Sequence, residues 1–171
     1  MKSTAVVFNN PKQLSLQSLE LPELQAGQVE VAVQFSGIST GTERMLWDGS
    51  MPAFPGLGYP LVPGDETVAR VIRNGPGCQL DIGQRVFVPG SSCFQGVKSL
   101  FGGAASRLVV AQNRVAVAQD HLPERAVLLA LASTAKANDF LASMYFLDDM
   151  YKRPNCKCAT SKLVSKPMAV L

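Results

Sequence analysis

Residues 58–75 read Gly-Tyr-Pro-Leu-Val-Pro-Gly-Asp-Glu-Thr-Val-Ala-Arg-Val-Ile-Arg-Asn-Gly. Pro60, Pro63 and Gly64 impose an extended entry and a sharp turn. Asp65 and Glu66 stand at that turn, and a strand rich in β-branched residues follows, with Val68, Val71 and Ile72, ending at Asn74-Gly75. Carboxylates placed where a turn feeds a buried strand are costly to bury unless they have a partner or a task.

Outward from this corner the chain repeats one pattern, short strands separated by Gly/Pro turns. Residues 4–8 form a strand turned by Asn9-Asn10-Pro11, and Leu14, Leu16 and Leu19 belong to a second. Val29, Val31, Val33 and Phe35 alternate with Glu30, Ala32 and Gln34, which predicts a half-buried strand with Glu30 facing out. Thr42 is the expected cap of a short helix carrying Glu43, Met45, Leu46 and Trp47, stopped at Asp48-Gly49. Arg85–Val88, 104–110 and 115–118 are further strands, and Pro123 with the run 126–132 predicts a buried helix. Strands at this spacing predict a mainly β sandwich or barrel with a few helices rather than a βαβ sheet.

With 171 residues, 47% of them hydrophobic and 17% charged, the chain has the composition of one folded domain or one domain plus a fragment. The net charge of +3 is unevenly spread: Lys152, Arg153, Lys157, Lys162 and Lys166 lie in the last 21 residues, which contain no acid, while the other 150 are mildly acidic. No aromatic residue follows Tyr151 to stack on bases, so the basic end reads as a solvated tail and not as a nucleic-acid-binding segment. Cys78, Cys93, Cys156 and Cys158 lack zinc-ribbon spacing. Neither a signal peptide nor an apolar run of membrane-spanning length is visible, and a cytoplasmic location with reduced thiols is expected. The expected organisation is a domain over 1–135, a helical segment over 136–151, and a basic, poorly ordered tail over 152–171.

Four motifs occur in order: Gly37-Ile38-Ser39-x-Gly41-Thr42-Glu43, Pro63-Gly64-Asp65-Glu66-x-Val68-x-Arg70-Val71, Gly83-Gln84-Arg85-Val86 and Gly102-Gly103-Ala104-Ala105. Together they resemble the GroES-like catalytic domain of medium-chain alcohol dehydrogenases, over about residues 4–135. The resemblance implies a partly open β-barrel. A narrower likeness rests on 36–43, the loop from Trp47 to Tyr59, Val88-Pro89-Gly90 with Cys93-Phe94, and 100–106. It is to the bacteriochlorophyllide dehydrogenase family, which oxidises the 3-hydroxyethyl side chain of a chlorin to acetyl with NAD.

Zinc-dependent relatives place a Cys where Ser39 stands and a His where Asp65 stands, so zinc is not expected here. The sole histidine, His121, reads as a surface residue. Without a metal, another group must take the hydroxyl proton. Asp65, Glu66 and Glu43 are the candidates, relayed through Ser39, Thr40 or Thr42, and a desolvated carboxylate of raised pKa would suit the task. The alternative is structural: Glu66 pairs with Arg70 or a backbone amide, and Glu43 caps the helix. Trp47, Met51, Phe54, Leu57 and Tyr59 are candidates for an apolar wall against a flat macrocycle, or for ordinary loop packing; Phe94 and Phe101 are weaker candidates for that wall.

The dinucleotide site of such enzymes is a strand, G-x-G-x-x-G and a helix. No such glycine pattern occurs in these residues, and no cofactor-binding residue is named. The chain therefore reads as a dehydrogenase cut short after Thr134, with a replaced end, unable to turn over alone. The alternative is a non-enzymatic barrel that binds a hydrophobic ligand or partner. In either case the face that relatives bury against the cofactor domain is a candidate for self-association.

Overall fold

The structure is a computed structural model that describes residues 1–99, 101–118 and 123–136. Met1–Ser133 make one compact unit, and Thr134 opens a second, of which the described residues, 134–136, are helical. His121, the segment 137–151 and the tail 152–171 lie outside the described residues.

The order of elements is β1 (Lys2–Asn10), β2 (Gln13–Glu20), β3 (Gln28–Ser36), α1 (Thr42–Asp48), β4 (Thr67–Asn74), β5 (Arg85–Val88), β6 (Arg107–Ala111) and β7 (Ala116–Val117), with short 3₁₀ turns at Gln112–Arg114 and Pro123–Leu128. β1 and β2 form an antiparallel ribbon, and the other strands form a five-stranded antiparallel sheet in the order β6-β3-β4-β5-β7. The fold is mainly β, as the strand spacing led us to expect, and its sheets do not close, in keeping with the partly open barrel that the resemblance implied.

β4 and β5 sit inside the sheet; β5 is buried along its whole length, and β4 through its first three residues. Val68, Ala69, Val71, Val86 and Val88 are fully buried. Of these, Ala69, Val71, Val86 and Val88 join Val7, Val29, Val31, Val62 and Leu108 in the main core. Phe94 packs in that core too and forms no wall of the kind considered above.

Three sequence-based expectations are corrected. Glu30 does not face out: it is 1% exposed, held between Arg73 (2.9 Å) and Arg107 (3.5 Å) on the flanking strands. β3 lies between β4 and β6, and a register shift between Glu30 and Val31 interrupts its alternation, so position 30 is enclosed by neighbours on both sides. A second shift between Val33 and Phe35 breaks the period again, and Phe35 ends 39% exposed. The run 126–132 is helical, a 3₁₀ turn that becomes α-helix at 129, but it is not buried: Leu128, Leu129 and Leu131 are 51%, 37% and 56% exposed. Its apolar composition found no covering layer within the described residues.

The third correction concerns α1. Its N-cap is Gly41, which makes no side-chain cap bond, and Thr42 is the first helical residue. The helix ends at Gly49, whose φ of 78° is the left-handed conformation glycine adopts freely. Leu46 is fully buried with Phe8 and Leu61 in a second, smaller core. Phe8 and Trp47 meet edge to face at 5.5 Å between ring centroids.

Candidate functional site

The corner at Pro63–Glu66 is locked to a distant stretch. The N–H of Gly103 donates to the Gly64 carbonyl (2.8 Å), and that of Ala104 to the Pro63 carbonyl (2.8 Å). Gly64 holds a φ of 101°, and a Cβ there would lie 2.6 Å from the Ala104 nitrogen. Only glycine lets the two backbones approach so closely. These contacts divert 103–105 from the sheet, which is why β6 begins at Arg107 and not at Ala104. Ala104 in turn accepts from the N–H of Val6 (2.9 Å), so the N-terminal ribbon is anchored at the same point.

Between ribbon, corner and α1 lies a cavity of about 660 Å³. Val6, Phe8, Leu14, Ile38, Trp47 and Pro63 give it apolar walls. Ser39, Thr40, Glu43 and Arg44 supply its polar side chains together with Ser36. Concave, mostly apolar space with a few convergent polar groups is the usual form of a small-molecule site.

Glu43 is 6% exposed. Its Oε2 accepts from the N–H of Ser39 (2.8 Å), outside the helix, and its Oε1 is buried with no hydrogen-bond partner. Burial raises its pKa above the ordinary 4.5; the nearby charge of Asp65, and less strongly that of Glu66, adds to the rise, against the lowering effect of the backbone hydrogen bonds. Glu66 is likewise raised, first by burial and then by Asp65. Three carboxylates thus lie within electrostatic reach of one another, Glu43 in the cavity lining and Asp65 and Glu66 outside it. Such crowding favours the protonated form of at least one member.

The Ser39 hydroxyl accepts from the N–H of Thr42 (3.1 Å), which leaves its own proton to donate elsewhere. Thr42 therefore acts through its backbone. Asp65 has one buried oxygen, Oδ1, without a hydrogen-bond partner. Glu66 lies against Gly37, where a Cβ would come within 2.4 Å of Glu66 Oε2 and 2.9 Å of its Cβ. Of the five proposed catalytic residues, Ser39 and Glu43 line the cavity; Thr42, Asp65 and Glu66 are outside its lining. Arg70 donates to the Gly83 carbonyl (2.5 Å).

Of the apolar wall, Trp47 lines the cavity. Met51, Leu57 and Tyr59 pack with it on the second core, and the Tyr59 hydroxyl donates to the Leu46 carbonyl. Phe54 is half-buried, its carbonyl accepting from Leu57 N–H (3.2 Å). Met51, Leu57, Tyr59 and Phe54 are not among the residues that line the cavity. The opposite wall, Leu14 and Ile38, and the charged residue Arg44 were not singled out in the sequence. Arg44 was discoverable: it precedes Trp47 by three residues, the spacing that puts two side chains on one helix face.

Zinc takes thiolate, imidazole and carboxylate donors, four in number at structural sites and three at catalytic ones. Among the described residues no group of three or more His, Cys, Asp or Glu is placed to hold a metal ion. The oxygen donors lining the cavity are the hydroxyls of Ser36, Ser39 and Thr40 and the Glu43 carboxylate, a set without thiolate or imidazole that does not suit zinc. No helix among the described residues is long and apolar enough to cross a membrane.

The chain belongs to the family described as the alcohol dehydrogenase GroES-like domain, which it matches over residues 25–122. It is 44% identical over 141 residues to the 2-desacetyl-2-hydroxyethyl bacteriochlorophyllide A dehydrogenase of Cereibacter sphaeroides, an alignment covering 80% of this chain and 44% of that protein. The protein of the same name from Rhodobacter capsulatus is 43% identical over 137 residues, with the same coverage. The chain thus spans under half the length of the curated relatives it matches. Among solved structures, 2R,3R-butanediol dehydrogenase from Bacillus subtilis superposes with a TM-score of 0.61 at 22% identity, covering 74% of this chain and 43% of that one. At that identity the likeness is one of fold. Other structures of this fold carry nicotinamide cofactors, NADP in one and NADH in another.

Proposed function

We propose that these residues form the substrate-binding half of an oxidoreductase that converts the hydroxyethyl group of a bacteriochlorophyllide to acetyl, with NAD as hydride acceptor. The observation that carries this reading is the apolar cavity with Ser39 and the partnerless Glu43 Oε1 at one end. The relatives at 43–44% identity, named for that substrate, support it.

In this reading the macrocycle lies between Trp47 and the Leu14–Ile38 side, and its hydroxyethyl group reaches Ser39. The Ser39 hydroxyl orients the substrate oxygen. Glu43, ionised and of raised pKa, receives the hydroxyl proton as the carbinol carbon gives up its hydride, leaving a ketone. Asp65 and Glu66 act by holding that pKa up. A nicotinamide would supply the hydride acceptor. The 171 residues contain no G-x-G-x-x-G strand–helix pattern, so its dinucleotide is held by residues beyond them. A cytoplasmic location belongs to the same proposal, as does self-association through the exposed Leu128–Leu131 face.

That missing pattern also favours a second reading for the chain by itself, a module that binds a hydrophobic ligand without chemistry. The two part company when the purified chain is mixed with NAD and a hydroxyethyl chlorin. Growth of NADH absorbance with a shifted pigment band establishes turnover and removes the binding-module reading. A pigment shift without NADH supports that reading for the isolated chain. Absence of any pigment shift sinks both.

A further inference from the structure

The cavity lining contains two ionisable side chains, and they are adjacent in sequence: Glu43 and Arg44. Their situations are opposite. Glu43 is buried and hydrogen-bonded at the inner end, whereas Arg44 is exposed at the rim. Among the described residues Arg44 forms no ion pair. Its electrostatic neighbour is Asp48, one turn along the helix, and Asp48 is itself engaged by the N–H of Ser50 (2.9 Å). The mouth near it is unusually greasy: Ile38 is 82% exposed and Leu14 52%, and Leu16, two positions along β2 on the same side, is 70% exposed.

We propose that Arg44 is the anion-binding residue of this cavity, and that the ligand is a large apolar ring molecule whose carboxylate meets the Arg44 guanidinium. This deepens the functional reading above and rests on its assignment of the cavity as the substrate site. A planar guanidinium matches a carboxylate in two parallel hydrogen bonds. The charges also set direction. A carboxylate placed at the inner end would face Glu43, Asp65 and Glu66; at the rim it meets a cation. Charge complementarity of this kind selects orientation more than it adds affinity. The ring is thereby held with its uncharged alcohol, not its acid, against Ser39.

The test uses two ligand pairs that differ in charge: a chlorin free acid against its methyl ester, followed by absorbance, and anilinonaphthalene sulfonate against neutral N-phenyl-1-naphthylamine, followed by fluorescence. Arg44→Gln is expected to lose about fivefold in affinity for the charged member of each pair and to keep its affinity for the neutral one. Arg44→Lys should recover part of the loss, and added salt should weaken only the charged ligands of the unmodified chain. Thermal melts of both variants control for folding. An unchanged charged-to-neutral ratio in Arg44→Gln overturns the proposal and leaves the functional reading standing. Arg44-dependent binding of the sulfonate dye with no chlorin binding upholds the anion site and overturns the chlorin substrate. If neither charged ligand binds in preference to its neutral partner, the anion site is refuted.

Discussion

Glu43 is the residue on which the chemistry turns, and its titration is open to measurement. Its folded pKa is raised above 4.5, so the fold favours the protonated acid. The stability it contributes is therefore complete below the unfolded value and lost as pH rises through the raised folded one. Glu43→Gln keeps an acceptor for the Ser39 N–H and cannot ionise. The difference in melting temperature between this variant and the parent should thus move in the variant's favour as pH rises from the ordinary 4.5 through the raised folded value. A difference that stays flat across that range would place the Glu43 pKa at its ordinary value. Asp65→Asn removes the largest like-charge influence on both Glu43 and Glu66. Both should then titrate at lower pH, as followed by carboxyl-carbon NMR. Gly37 offers a steric counterpart. Gly37→Ala would press a methyl group on Glu66 Oε2 and Cβ. A loss of about 1–3 kcal/mol in urea unfolding is expected. The acid corner was legible in the sequence because adjacent carboxylates before a β-branched strand are unusual. The bond from Ser39 N–H to Glu43 was not, because it joins a loop amide to a helical side chain and neither stretch marks the pairing.

At the scale of elements, α1 is tied to the smaller apolar cluster through Leu46 and Trp47. Leu46 has no exposed surface and packs on Phe8 and Leu61. Leu46→Ala is expected to cost about 2–4 kcal/mol and to blur the near-ultraviolet signal of Trp47. An intact signal with unchanged stability would show that the loop 50–63 supports Trp47 alone. Short strands were readable from the chain because turns dense in Gly and Pro bracket β-branched runs. The burial of Glu30 was hidden by bulges, which shift a two-residue period without leaving a mark in composition. The run 126–132 shows a different limit. Its leucines announce burial, and the sequence does not say against what.

For the whole molecule, the exposed Leu128, Leu129 and Leu131 are the feature with a solution consequence. Sedimentation should reveal concentration-dependent association that Leu128→Lys combined with Leu131→Lys abolishes. A strict monomer over a wide concentration range would refute the proposed self-association. The motifs that identified the family were legible as separate words. That Pro63-Gly64 and Gly103-Ala104 touch, and so close the site, was not, since nothing in either stretch encodes its partner.

That contact has a consequence in time. The cavity draws its lining from residues 6–14, 36–47, 63–64 and 104, and its keystone joins Val6 to Ala104 across nearly the whole domain. Closing so long a loop is slow relative to helix or hairpin formation. During synthesis, the site has no floor until Ala104 has emerged, however well β1 and β2 have paired by then. In refolding, ligand binding should return with the last phase of sheet formation and never ahead of it, so that a pigment meeting the young chain finds a ribbon and a helix but no place to sit.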